Sequence, residues 1–176
     1  MKRYLVTASI FSAIIGSIFG ATMIARAQDQ PMTEAHIARI RANCVEAQST
    51  LTQLHATDAL LRVNRGQLYE SISTKLMAPF NSRVALNQLD GASLVSIAAT
   101  YERQLTEFRT NYQQYEEVMS ELLKINCVNQ PVAFYDSVAD ARNKRQKVHD
   151  STLQLQQSVQ DYKAEFETFA TKVKDK

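Results

Sequence analysis

Tryptophan is absent from this chain of 176 residues, which also has only four glycines, three prolines, three histidines and two cysteines. Each scarcity excludes something. Two of the glycines, Gly16 and Gly20, fall in the apolar amino-terminal stretch, so Gly66 and Gly91 with Pro31, Pro79 and Pro131 are the main breakers of the rest. Such a chain has few places to turn. No Gly-rich phosphate loop or nucleophile elbow occurs, and the cysteines lie too far apart for a Cys-x-x-Cys redox centre. None of His36, His55 and His149 has a second ligand at metal spacing on one helix face, because the adjacent His149 and Asp150 point in two directions. No enzyme activity, cofactor or metal is expected.

Net basicity is also missing once the amino terminus is set apart. Lys2 and Arg3 precede an apolar run from Leu5 to Ala25, and Ala25-Arg26-Ala27 offers small residues at the two positions a signal peptidase reads. The pattern is that of an export signal over residues 1–27, cleaved between Ala27 and Gln28, with a short linker over 28–32. The run is about 21 residues, close to the ~20 that span a bilayer, so an uncleaved anchor is the other reading. In both readings the remainder is exported: secreted, periplasmic or on the outer face of the membrane. Without residues 1–27, 17 basic side chains face 18 acidic ones, a net charge of −1. Nucleic acid is therefore not an expected partner, and a membrane is one only through the amino-terminal segment.

What is abundant is heptad spacing. Ile37, Ile40, Cys44, Ala47, Leu51, Leu54, Leu61, Leu68 and Ile72 form one seam, and Leu94, Ala98, Tyr101, Leu105, Phe108, Tyr112, Tyr115, Met119 and Leu122 a second. A third runs from Phe134 through Ala141, Val148, Leu155 and Tyr162 to Val173. Spacing near 3.5 residues predicts helices packed as in a coiled coil. The expected fold is all-α, an elongated antiparallel three-helix bundle over 33–176, with helices over about 33–78, 92–127 and 131–174. Asn64-Arg65-Gly66 is an expected kink, since Gly inside a helix costs about 1 kcal/mol relative to Ala.

An exported chain with two distant cysteines predicts a Cys44–Cys127 disulfide. That pairing places residue i of the first helix opposite residue 171 − i of the second, which centres the turn inside Pro79–Gly91. The same register sets Glu46 near Lys124, Arg65 near Glu107 and Glu70 near Arg103, and the second turn sets Arg142 near Glu116 and Glu117. Combining both registers brings Asp58 level with Arg145, an expected polar layer that fixes alignment.

Two surface features admit two readings each. The basic run Arg142, Lys144, Arg145 and Lys147 is either a solvated face or a patch for anionic polymer or lipid headgroups. Phe80, Val84, Leu86 and Leu89, in the apolar interrupted segment, either cap the bundle or form a partner-binding tip. The expected function is a non-enzymatic interaction module of the envelope or secreted fraction, binding a protein partner or itself as a homo-oligomer. Two alternatives are an envelope holdase chaperone for exported proteins and a coiled-coil regulator acting in trans on a cell-wall enzyme.

Overall fold

The computed structural model describes residues Met32 to Asp175, and these are all-helical. The export segment, its cleavage site at Ala25, Ala27 and Gln28, and the linker up to Pro31 lie outside the described residues. Five α-helices follow in order: α1 (Glu34–Ala42), α2 (Cys44–Ser71), α3 (Ala78–Leu86), α4 (Ala92–Leu122) and α5 (Pro131–Lys174). A π-helical turn, Ile72–Met77, joins α2 to α3.

The first expected helix is thus divided, and at other places than Asn64–Gly66. Thr33 caps α1 through its hydroxyl, which accepts the His36 amide hydrogen at 3.3 Å. Asn43 leaves helical geometry and separates α1 from α2; its side-chain amide turns back to donate to the Arg39 carbonyl at 2.8 Å. Gly66 stays within α2, and a Cβ there would meet no atom within 4 Å. Lack of a side chain weakens a helix without necessarily breaking it.

The segment Pro79–Gly91, expected as an interruption, is mostly helix. Pro79 has no amide hydrogen, and inside a regular helix its ring strikes the carbonyl four residues earlier. The π turn solves this locally: the Ala78 amide reaches back five residues to the Ser73 carbonyl, so Pro79 falls in the first turn of a new helix. The reversal itself occupies Asn87–Gly91. Gly91 is required by close approach, because a Cβ would stand 2.5 Å from Cγ1 of Val84.

α4 is the buried spine. Leu94, Tyr101, Leu105, Phe108, Tyr112, Tyr115, Met119 and Leu122 all lie on its buried face, every one a position of the second heptad seam. α5 packs along α4 and contributes Phe134, Ala141 and Leu155. Two apolar clusters result. One gathers around the Cys44–Cys127 disulfide with Tyr112, Tyr115, Met119 and Phe134, the other around Tyr69, Met77, Tyr101, Leu105, Phe108 and Leu155. The disulfide spans a Cα separation of 5.6 Å and ties the start of α2 to the turn before α5.

α2 differs from its partners. Over 28 residues it buries only Cys44, Asp58 and Tyr69. Leu61 and Leu68, expected in the seam, are 44% and 56% exposed, and Leu60 is 68% exposed. The sequence spacing is heptad-like there, but beyond the disulfide end, where Cys44, Ala47 and Leu51 pack in the core, α2 buries only Asp58 and Tyr69, and Leu61 and Leu68 stay exposed.

Candidate functional site

Asp58 is a buried residue of α2 that faces the spine. Its Oδ2 accepts hydrogen bonds from Arg145 Nε at 2.7 Å and from the Tyr115 hydroxyl at 2.7 Å, while Oδ1 accepts from Arg145 at 3.0 Å. The arrangement is bidentate, which makes it geometrically specific as well as strong. Burial alone would push the Asp58 carboxyl pKa up; the hydrogen bonds from Arg145 and Tyr115 outweigh it and hold the group below the ordinary carboxylate value. The bond to Asp58 raises the Arg145 pKa against an opposing effect of burial. Tyr115 is pushed above its usual range, first by burial and then by the Asp58 carboxylate that its hydroxyl serves. Sequence reasoning missed Tyr115 as a member. Its signal was that a tyrosine on a seam needs a partner for its hydroxyl when buried.

One turn away, His55 Nε2 lies 2.6 Å from Glu116 Oε1, and the Tyr112 hydroxyl donates to Glu116 Oε2 at 3.0 Å. Burial, and then that bond to Glu116, raise the Tyr112 hydroxyl to about 12. The face of the Tyr112 ring carries the Arg62 guanidinium, 5.0 Å from its centroid. No buried side-chain polar atom among the described residues lacks a partner.

Above this layer the backbones of α2 and α5 stay apart and leave a cleft of about 390 Å3. Phe108, Tyr112 and Tyr115 form its floor; Arg62 and Arg65 rise from α2, and Arg142, Arg145 and His149 from α5. Asp58 is the one carboxylate in its lining, and it is committed to Arg145. Ion pairs among the described residues are His55–Glu116, Arg109–Glu70, Lys124–Glu121, Arg145–Asp58 and Lys163–Glu167, so Arg62, Arg65 and Arg142 have none.

That census also corrects the expected surface pairs. Glu70 is taken by Arg109 instead of Arg103, and Lys124 by Glu121, three residues away on its own turn, instead of Glu46. Arg65 and Arg142 line the cleft with no ion pair to Glu107, Glu116 or Glu117. Of the basic run, Lys144 donates to Gln114 at 3.2 Å, Arg145 holds Asp58, and Lys147 is exposed on the surface.

No family model, curated protein or solved structure matches this chain. Function must be argued from its own surfaces.

The turn end divides the tip residues. Phe80 packs edge-on against Phe166 and Phe169, with ring centroids 5.0 and 5.7 Å away, and Val84 is buried over Gly91. Leu89 is half-buried, and Leu86 projects at 82% exposure. A second groove, about 580 Å3, lies beside Phe80 and runs between the π turn and α5, bounded by Ile72, Leu76, Val159 and Phe166. Among the described residues no group of three or more His, Cys, Asp and Glu gathers at metal-binding distance, and no helix is long and apolar enough to cross a membrane.

Proposed function

We propose that this chain is an exported, non-enzymatic interaction module: a three-column antiparallel helical bundle, packed in coiled-coil fashion, that binds a protein partner along α2. The observation that carries the proposal is the exposure of Leu60, Val63 and Leu68 on a helix whose neighbour α4 buries eight positions of its seam. A helix lying on a core normally buries an apolar stripe of three to four residues per two turns. Over the same length α2 leaves apolar side chains in water, and contiguous exposed apolar surface marks interaction sites. Export is supported by the amino-terminal pattern and by the Cys44–Cys127 disulfide, which is compatible with an oxidising compartment.

With ~100° between successive residues of a helix, Leu60 and Val63 fall on the side of α2 away from Asp58 and the core. The test is co-isolation from native cells, comparing the natural chain with L60K/V63K. One protein recovered at near-equal yield, and lost with the variant while the fold is retained, is the expected result. A broad set of substoichiometric exported proteins would identify a holdase instead. A cell-wall enzyme as the single partner would identify a regulator acting in trans, and the chain itself as partner a homo-oligomer.

A further inference from the structure

The groove beside Phe80 lies between two helical ridges. Val159, Tyr162, Lys163 and Phe166 line it from α5 at i, i+3, i+4 and i+7, the spacing of one helix face, and Ile72, Leu76 and Phe80 line it from the π turn and α3 at four-residue steps. No residue of α4 contributes, so the groove opens on a side of this helix pair that the spine does not cover. Its floor is held by the core, because Ile72, Met77, Val159 and Tyr162 also pack in or against the cluster of Tyr101, Leu105 and Leu155. The Tyr162 hydroxyl donates to Asn81 Oδ1 at 2.8 Å, and Phe80 on Phe166 joins the two walls. Above that floor the groove is apolar and uncovered: Leu76, in the π turn, is 63% exposed, and Phe166 is exposed as well. The charged part of the lining has one sign. Lys75, Arg83 and Lys163 come from the π turn, α3 and α5, and no carboxylate lines the groove. Lys75 and Arg83 enter none of the ion pairs among the described residues, and Lys163 reaches only Glu167, at 3.8 Å.

We propose that this groove is a docking site for an acidic amphipathic helix of a partner protein. The apolar stripe of that helix lies on Leu76 and Phe166 over the floor of Ile72 and Val159, and carboxylates on its flanks meet Lys75, Arg83 and Lys163. Length supports a helix as the occupant. From Val159 to Phe166 the groove follows two turns of α5, about 10 Å at ~1.5 Å per residue, and apolar anchors at i, i+4 and i+7 of a docked helix span the same distance. A lipid chain spans ~15 Å, half a bilayer core, and overruns it. Three cations drawn from three elements also suit carboxylates spread along a helix better than one headgroup. In such a complex the buried stripe supplies affinity, and the flanking charges select the partner. The groove shares no residue with the Leu60 and Val63 face of α2, so either contact can fail while the other holds.

Fluorescence anisotropy of a labelled synthetic peptide of about 20 residues, with leucines at two positions of each heptad and glutamates flanking them, tests the site when titrated with the full disulfide-bonded chain. Two control peptides replace the glutamates by lysines or the leucines by glutamines. Saturable 1:1 binding of the acidic peptide, at least tenfold tighter than either control, is expected. It weakens at least tenfold in Leu76→Asp, and separately in K75E/R83E, and is unchanged in L60K/V63K. Lys75, Leu76 and Arg83 are exposed, so their replacement leaves the melting temperature unchanged; where it does not, Leu76→Gln or K75Q/R83Q takes its place with the same weakening expected. Equal binding of the lysine peptide would overturn recognition by charge, and equal binding of the glutamine peptide would reduce the groove to a cationic surface. Loss of binding in L60K/V63K alone would assign the peptide to the outer side of α2. Absence of saturable binding by the acidic peptide, with dodecanoate binding in a Leu76-dependent manner or not, would deny the groove a helix. Each of these four results refutes the proposal.

Discussion

Replacing Asp58 by Ala removes the only acceptor for two cationic hydrogen bonds and one tyrosine hydroxyl. Hydrogen bonds to charged groups contribute roughly 1.5 to 3 kcal/mol each, and breaking a buried ion pair costs about 3 to 5 kcal/mol. Here the carboxylate side chain is 10% exposed but that of Arg145 is 50% exposed, so water recovers much of the stranded cation. The Tyr115 hydroxyl recovers less, because its residue is 1% exposed. The expected loss is therefore about 2 to 3 kcal/mol, below the full buried-pair figure. For a domain of this size that lowers Tm by roughly 5 to 10 °C. Urea unfolding followed by circular dichroism, with the disulfide intact, measures it. Asp58→Leu with Arg145→Leu and Tyr115→Phe leaves no orphaned polar group and falls within about 1.5 kcal/mol of the natural chain. An unchanged midpoint in Asp58→Ala, or single and triple variants that simply add, would refute the polar layer.

Other outcomes follow from the same structure. Asp58 has its pKa lowered on folding, so its contribution is complete above the unfolded value near ~3.9 and is lost as pH falls through the folded value; Asp58→Asn should show a flatter stability profile below about pH 4 when urea midpoints are compared. Reducing the Cys44–Cys127 bond opens a loop of 83 residues and should lower stability by about 4 kcal/mol on loop-entropy grounds, measured as the urea midpoint with and without reductant. Gly66→Ala should stabilise by about 0.5 to 1 kcal/mol, since its Cβ enters open space on a helix. Gly91→Ala should destabilise by about 1 to 3 kcal/mol, since its Cβ collides with buried Val84; thermal melts of the two variants should move in opposite directions.

Legibility in the sequence followed periodicity. The second seam was readable residue by residue because α4 is packed by its neighbours along its length, so every seam position except half-buried Ala98 is buried. The disulfide followed from two distant cysteines on a chain read as exported, and the level of Asp58 with Arg145 from counting along antiparallel helices, which needs only the positions of two turns. What periodicity could not show was how far α2 stands from its neighbours. Leu61 has seam spacing whether or not another helix lies close to it, and the cleft it lines exists because α5 stands apart there. The π turn was also hidden: Pro79 reads as a breaker, and nothing local distinguishes a break from a five-residue reach that restarts the helix. Surface ion pairs were the least legible. Long side chains reach over a full turn, and each exposed pair is worth only about 0 to 1 kcal/mol, too little to fix a register.

The most direct test of the account is site-specific photocrosslinking in native cells, with the reactive group placed at Leu60 or Val63 and, as control, at exposed Gln113 on α4. Occupation of α2 predicts one discrete crosslinked species from both α2 positions and none from Gln113. No discrete product from Leu60 and Val63, or equal products from all three, would contradict it.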